Sequence, residues 1–566
     1  MDIKNLSTLS NNIDMEMYCH GKMNFMVGLC EQLKLPEIFD ANLQKQLGRK
    51  PDIPYGIMAE MMIVNICDDH SPLYKLHEYY DMKDLEGIFH YPLNLTQIND
   101  DRFGNFLDAF YEAAPRKIFS EISSQAFANY GIEVTNINFD TTSKVMWGTY
   151  ETEEGKEGVI SIDFGHSKQK REDKKQIKIG LGVASGVIVD AKVLSGNKDD
   201  KTYNGEALEE VEVILERLNV SKENFHYIAD SALFTSMNLK KAEARGLKLI
   251  TRMPETTNLA KERITTALKD RSAMNKIELS NSKGKTIEYF IVENECSYED
   301  TKLKCAICYS KTLEEPKKRT LEKQIKKEFE AVQKLFKTYT KRPFACEEDA
   351  NTEILKLLEK DLKKTKYHTL NLTTINVAKK KRGRQPKDLS EIEVNNAYYL
   401  QCEIKINDEK VEKYFEEACT FVLCSNDLSL TGEEILRQYK TQSDVEKKFQ
   451  QLKSPHFVNS LYIDTPERIE ALTYLILISM MILSVAEHVV RRQFKATGEK
   501  IIGPGGIKMS RPTLMSILDI FKVGIGVKVF SSEGQKYRCL ARPLKENHKS
   551  ILKCLGISEN IFCWNG

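Results

Sequence analysis

The sequence predicts an α/β protein: a mixed sheet flanked by helices, with an α+β insertion and helical N- and C-terminal regions. Three observations predict it. Apolar residues recur at helical spacing through residues 15–130. From residue 134 the rhythm becomes strand-like. After residue 203 helical and strand patterns alternate, which implies strand–helix–strand units with parallel pairing.

The chain has 566 residues, 41% of them hydrophobic and 29% charged, which suits several packed domains and excludes a disordered chain. The formal net charge is only +1, but its distribution is uneven. Residues 1–130 carry 11 Lys and Arg against 19 Asp and Glu; residues 302–387 carry 24 against 11. A basic block inside a neutral chain points to a polyanion contact on one side.

The elements follow in order. "MNFMVGLCEQLKL" and "PYGIMAEMMIVNICDDHSPLYKLHEYY" are helical runs punctuated by Pro36, Pro51, Pro54 and Pro72. "NDDRFGNFLDAFYEAAP" is a third, ending at Pro115, and its acids Asp100 and Asp101 read as caps and dipole partners. "VTNINF", "GVISIDFG", "QIKIGLGVAS" and "VIVDAKVL" are strand-like. "NGEALEEVEVILERLNV" is an amphipathic helix, "FHYIAD" a strand, "TSMNLKKAEARG" a helix and "LKLITRM" a strand. Residues 253–430 mix strands with charged helices and read as an insertion. A helix resumes at "TGEEILRQYKTQSDVEKKFQQLK", and the tail carries one more near "TLMSILDIFK". The expected organisation is 1–130, a helical domain for DNA ends or dimerisation; 131–252, first part of the core; 253–430, the insertion; 431–500, second part of the core; and 501–566, a helical end.

Thirteen scattered cysteines and a polar N-terminus suggest free thiols in a cytoplasm. Cys305 and Cys308 form one CxxC with no second pair, so structural cysteines are expected there and not zinc. The uninterrupted apolar part of the run 471–490, Leu472 to Ala486, is bracketed by Glu470 and Glu487 and is too short to cross a bilayer; it reads as a core helix, with a membrane span the lesser alternative.

Two acids stand at strand ends, Asp140 in "TNINFDTTS" and Asp230 in "YIADSA". If the strands are neighbours, the carboxylates lie about 4.8 Å apart at the backbone and repel each other unless a cation intervenes. Hard oxygen donors at that spacing suit Mg²⁺ or Mn²⁺. The helix after residue 434 offers Glu446. At about 100° per residue, Tyr439, Gln442, Glu446 and Lys453 share a stripe roughly 60° wide, beside an apolar face.

These residues carry a resemblance. The order of elements, with acids after the first and fourth main strands, resembles the RNase H-like fold. "FDTT", "YIADSA" and Tyr439-x₂-Gln442-x₃-Glu446-x₆-Lys453 resemble the DDE transposases of bacterial insertion sequences, in the Y-R-E-K subgroup of the IS-four superfamily. "GHSKQKREDKKQ" (165–176), "SGNKDDKT" (195–202), "KSPHFVNSLYIDTPERIEAL" and "NDDRFGNFLDAFYEA" agree with that family, so the resemblance covers nearly the whole chain. The signature arginine is Gln442 here, a neutral group where the family has a charged fork. Relatives stack a flipped base on a tryptophan of the insertion; Trp147 and Trp564 both lie outside it.

The resemblance implies a polynucleotidyl transferase in which Asp140, Asp230 and Glu446 hold two Mg²⁺ ions, Mn²⁺ substituting, with no small-molecule cofactor. Tyr439, Gln442 and Lys453 are expected at phosphates. Apart from the resemblance, the basic loop "KKKRGRQPK" (379–387), with Lys381, Arg382 and Arg384, reads either as a minor-groove contact or as a solvated loop. The partners implied are terminal inverted repeats and target DNA, bound by a homodimer in a nucleoid-associated, cytoplasmic setting, without membrane. Two other readings remain: an inactive DNA-binding descendant, and another RNase H-like nuclease. Asp163, Asp200, His166 and His226 are read as structural.

Overall fold

The computed structural model describes residues 14–43, 51–148, 150, 158–280, 285–360, 365–379, 395–454, 463, 465–522, 525–532 and 535–565. Its centre is a nine-stranded mixed sheet: β1 (Asn136–Val145), β2 (Gln176–Ala184), β3 (Val187–Ser195), β4 (His226–Ala229), β5 (Lys248–Arg252), β6 (Asn275–Ser280), β7 (Thr286–Tyr298), β8 (Thr301–Ser310) and β9 (Thr420–Ser425). The spatial order is β3-β2-β1-β4-β5-β9-β8-β7-β6. β1, β2 and β3 form an antiparallel meander. β4 lies parallel to both β1 and β5, as strand–helix–strand connections require. β9 then pairs antiparallel with β5 and with β8.

The core strands read as nearly continuous apolar runs because helices cover both faces; every residue of β2 is buried. Gly180 of β2 lets the helix Asp200–Arg217 approach closely: a Cβ there would stand 2.4 Å from the Tyr203 ring. Phe139 of β1 stacks on Tyr227 of β4 at 4.5 Å between centroids, a pairing worth about 1 kcal/mol beyond burial.

The helix Pro466–Thr497 is the spine of the molecule. It packs on β3 and on the helices Tyr55–Asp68, Asp100–Glu112 and Pro115–Tyr130. Nearly all of its apolar window is buried inside the protein.

Several expectations are corrected. The run "GVISIDFG" is no strand of the sheet; Ser161 and Asp163 hold it by irregular hydrogen bonds to Gly196 and Gln176. The insertion is not a separate body throughout, because β6, β7, β8 and β9 extend the core sheet. Its remaining part, the helices Lys311–Tyr339 and Glu347–Lys360 with the hairpin His368–Lys379 and Asn395–Ile406, has its own small core around Val332, Phe336 and Leu400. The tail is not all helical: Gly526–Ser532 and Gln535–Leu540 form a three-stranded sheet with Asp14–Cys19. The helix Asp100–Glu112 is capped by Asn99, with Asp100 and Asp101 in its first turn as dipole partners.

Candidate active site

Strand register decides the geometry. In the parallel β1–β4 pair, Phe139 stands opposite Ala229. Asp140 and Asp230 come next, so they emerge side by side at the carboxyl edge of the sheet, about 4.8 Å apart at the backbone. β1 does not end at Asp140 but runs on to Val145 against β2. Asp140 Oδ1 accepts from the Thr141 amide at 2.7 Å and from Lys168 Nζ at 3.0 Å. Asp230 follows β4 directly. Its Oδ1 accepts from the Ala232 amide at 3.0 Å, and its carbonyl accepts from the Thr251 hydroxyl at 2.7 Å, which fixes the turn. Burial pushes the Asp140 carboxyl above its usual range, Lys168 opposes this, and repulsion by Asp230 adds to the rise.

Glu446 arrives on a broken helix. Gly432–Tyr439 is one helix, Lys440–Gln442 a tight turn and Ser443–Leu452 a second helix. The turn is bonded down onto β1. The Thr441 hydroxyl lies 2.9 Å from Asn138 Oδ1 and 2.7 Å from the Gln438 carbonyl oxygen, and Gln442 Nε2 donates to the Phe139 carbonyl at 3.2 Å, one residue before Asp140. From the other side, Lys448 meets Glu487 of the spine helix at 3.6 Å. Gln442 is thus buried and serves as a positioning group, where the sequence suggested a phosphate contact. Glu446 itself is exposed, one turn further on.

Burial is the main cause of the raised pKa of the Tyr439 hydroxyl and Arg252 opposes it, while the charges of Asp230, Glu446 and Asp140 add to the rise. The three acids are not in contact: among the described residues no three His, Cys, Asp or Glu side chains form a cluster able to hold a metal ion. The donor set nonetheless fits a hard divalent cation. Two neighbouring carboxylates repel each other and offer only oxygen, and one of them, Asp140, already holds the ammonium of Lys168. Lys453 lies just past the helix end. Burial lowers its pKa first, the charge of Lys168 lowers it further, and Asp140 pulls it up.

Sequence reasoning missed two members of this site. Lys168 bonds Asp140, donates to the Thr141 carbonyl at 2.6 Å and lies 3.8 Å from Asp200. Asp200, read as structural, accepts from the Thr141 hydroxyl at 2.7 Å and from Lys178 at 3.0 Å; the cap of its helix is Asp199. The signal lay in the two motifs that carry them. A Cβ on Gly165 would stand 2.3 Å from the Gly196 carbonyl oxygen, and one on Gly196 would stand 2.0 Å from that of Gln176. The two segments therefore meet backbone to backbone, which delivers Lys168 and Asp200 to Asp140.

The other candidates stand apart. His226 sits at the opposite end of β4 from Asp230, bonded to Asp427. His166 is exposed and 3.8 Å from Glu172. Asp163 accepts from Phe164 and Asn197. Cys305 and Cys308 are buried in β8 as free thiols. Lys381, Arg382 and Arg384 lie outside the described residues.

A family model described as "Transposase DDE domain" matches residues 146–482, more than half of the chain. The chain belongs to this family. The matched span of the DDE domain begins just after Asp140 and contains Lys168, Asp200, Asp230 and Glu446. A second model, "Domain of unknown function (DUF4277)", matches residues 18–124, within the N-terminal helices. No curated protein matches the chain in sequence. Among solved structures, the cryo-EM structure of the piggyBac transposase synaptic complex with hairpin DNA is similar at 11% identity and a TM-score of 0.36, over 88% of this chain and 79% of that one. The Mos1 transposase paired-end complex with left transposon end is similar at 11% identity and a TM-score of 0.15, over 36% of this chain and 60% of that one. Overlaps this loose fix no residue-level correspondence.

Proposed function

We propose that this chain is the transposase of an insertion sequence, in the Y-R-E-K subgroup of the IS-four superfamily. It cuts DNA at the ends of the element and joins the freed 3′ ends to target DNA. The observation that carries the reading is the pairing of Asp140 with Asp230 at one sheet edge, with the Glu446 helix bonded to the same strand, in a chain of the transposase DDE domain family.

Asp140, Asp230 and Glu446 would hold two Mg²⁺ ions, Mn²⁺ substituting. Bound there, divalent ions lower the pKa of a water or 3′-hydroxyl and stabilise the leaving oxygen of an in-line displacement. The chain's own residues supply position. β1 and β4 fix the spacing of the two aspartates. Thr441 and Gln442 anchor the glutamate helix, and Lys448 ties that helix to the core. Tyr439 and Lys453 face the phosphate from the helix side. No serine or tyrosine nucleophile is required, since water and the DNA hydroxyl attack directly. The basic helix Lys311–Tyr339 is suited to follow a DNA backbone, with affinity that falls as salt rises. Two ends must be paired, so the working form is a dimer on DNA, in a cytoplasm that gives access to the chromosome.

Purified protein incubated with the DNA that flanks its gene, with and without Mg²⁺, tests the reading. Metal-dependent strand cleavage at the repeat boundary is expected, and cleavage that persists in Asp230→Ala refutes the assigned site. Binding without cleavage identifies an inactive DNA-binding descendant instead.

A further inference from the structure

The cation on Asp140 comes from the chain itself. Lys168 Nζ lies 3.0 Å from Asp140 Oδ1, 2.6 Å from the Thr141 carbonyl oxygen and 3.8 Å from Asp200 Oδ2. Its backbone is pinned too, since the Lys168 amide donates to Ser143 Oγ at 3.0 Å. Asp200 is already served by Lys178 at 3.0 Å and by the Thr141 hydroxyl, so Lys168 is not needed to satisfy it. Once Asp140 takes another partner, the Lys168 ammonium keeps only the Thr141 carbonyl and the more distant Asp200, and its charge is left largely unanswered.

We propose that Lys168 is a substrate-contacting residue with two positions: its ammonium holds Asp140 before divalent ions arrive, and passes to the scissile phosphodiester when they do, sharing it with Lys453. A divalent ion and an ammonium compete for the same carboxylate oxygen, and the ion carries twice the charge. The Lys168 backbone stays pinned by its amide at Ser143, so the released ammonium swings within reach of the phosphate that the ions bring in. Lys168 thereby couples ion entry to DNA capture. The proposal rests on the transposase reading and deepens it by naming a phosphate ligand outside the three acids and the Tyr439–Lys453 stripe.

The test uses full-length protein: wild type, Lys168→Met and Lys168→Arg. Mn²⁺ binding is measured by calorimetry without DNA. DNA binding is measured by anisotropy of a labelled duplex spanning the boundary of the flanking DNA, in EDTA and again in Ca²⁺. Lys168→Met is expected to bind Mn²⁺ about tenfold tighter, because the competing charged contact is gone. Its affinity for DNA in EDTA is the baseline against which the change in Ca²⁺ is read. In Ca²⁺ it binds the duplex about tenfold more weakly, with a salt slope shallower by about 0.9, the value for one lost phosphate contact. Mn²⁺ binding that is unchanged or weaker makes Lys168 a mere prop for Asp140 and overturns the proposal, as does unchanged duplex affinity in Ca²⁺. Should Lys168→Met fail to fold, Lys168→Arg still decides: its two-pronged grip on Asp140 is expected to weaken Mn²⁺ binding, and no change counts against the exchange. A wild type that cleaves DNA while the Met variant behaves identically sinks this inference alone. A wild type that binds neither Mn²⁺ nor the duplex sinks the transposase reading beneath it.

Discussion

The two ends of β4 carry acids with opposite fates. At its amino end, Asp427 is buried against His226 and Lys248. It accepts from His226 Nε2 at 3.1 Å, from Lys248 Nζ at 3.0 Å and from the Ser429 hydroxyl at 2.6 Å. Burial pushes its carboxyl up, but the bonds from Ser429, Lys248 and His226 win and hold it well below the usual carboxylate range. At its carboxyl end, Asp140 stands beside Asp230. Burial there is not fully answered, and its carboxyl stays above the usual range. One strand, four residues long, thus separates a saturated acid from a frustrated one. The saturated acid has every lone pair spent on the fold. The frustrated one keeps a burial cost that Lys168 does not fully offset, the condition under which a further cation would stabilise it.

The sharpest way to break this contrast is to neutralise each end in turn. Asp230→Asn keeps the shape and removes the charge. Strand cleavage of the flanking DNA is expected to fall by at least ~1000-fold, as when a group holding catalytic metal is lost. The thermal melt is expected to stay level or rise, because Asp140 loses a repelling neighbour. Residual cleavage within tenfold of wild type, or a collapsed melt, would place Asp230 on the structural side of the comparison.

Asp427→Asn is expected to do the reverse. It deprives Lys248 and buried His226 of their anion and costs about 2–3 kcal/mol of stability by denaturant unfolding, with Mn²⁺ affinity unchanged. The pH dependences differ in sign. The folded pKa of Asp427 lies below its unfolded value of about 3.9. Its stabilisation is therefore complete above about pH 4 and disappears as the pH falls through the folded value. The folded pKa of Asp140 is raised, so its penalty is absent below about pH 4 and complete once the pH exceeds the raised value. Melts of Asp427→Asn and wild type that converge in acid support the assignment; a constant gap from pH 7 to pH 3 does not.

Much of this contrast was legible in the chain before folding, and the rest was not for identifiable reasons. "TNINFD" and "FHYIAD" gave β1 and β4, and Asp230 fell at the end of its strand as read, whereas β1 continues past Asp140 to Val145. The wheel that gathered Tyr439, Gln442, Glu446 and Lys453 assumed one unbroken helix. The structure breaks it at Lys440–Gln442, because side-chain bonds from Thr441 and Gln442 to β1 outweigh helical continuity. Such bonds join residues about 300 positions apart, and no local pattern reports them. Lys168 and Asp200 were hidden for the same reason: one lies in a charged loop, the other at a helix start, and both look solvated until Gly165 and Gly196 bring their segments together. The strand Asp14–Cys19 escaped because its partner lies at the opposite end of the chain.

Gln442 gives the smallest expected effect and the finest resolution. The resemblance drawn from sequence alone puts it at a phosphate. In the fold it is buried, and its amide nitrogen bonds the carbonyl of the residue before Asp140. Gln442→Ala is expected to cost about 1 kcal/mol, the net worth of one buried hydrogen bond. Cleavage should fall several-fold as the Glu446 helix loosens on β1, while the salt slope of DNA binding stays at the wild-type value, since no phosphate contact is lost. Lys453→Ala should show the opposite split, with stability kept and the slope shallower by about 0.9. Gln442→Arg separates the two roles most cleanly. If the position is internal, the guanidinium must be buried without a carboxylate partner, and the protein melts lower. If the position faces DNA, the slope steepens by about one contact and stability holds, and Gln442 then belongs with the phosphate ligands and not with the anchors of the sheet.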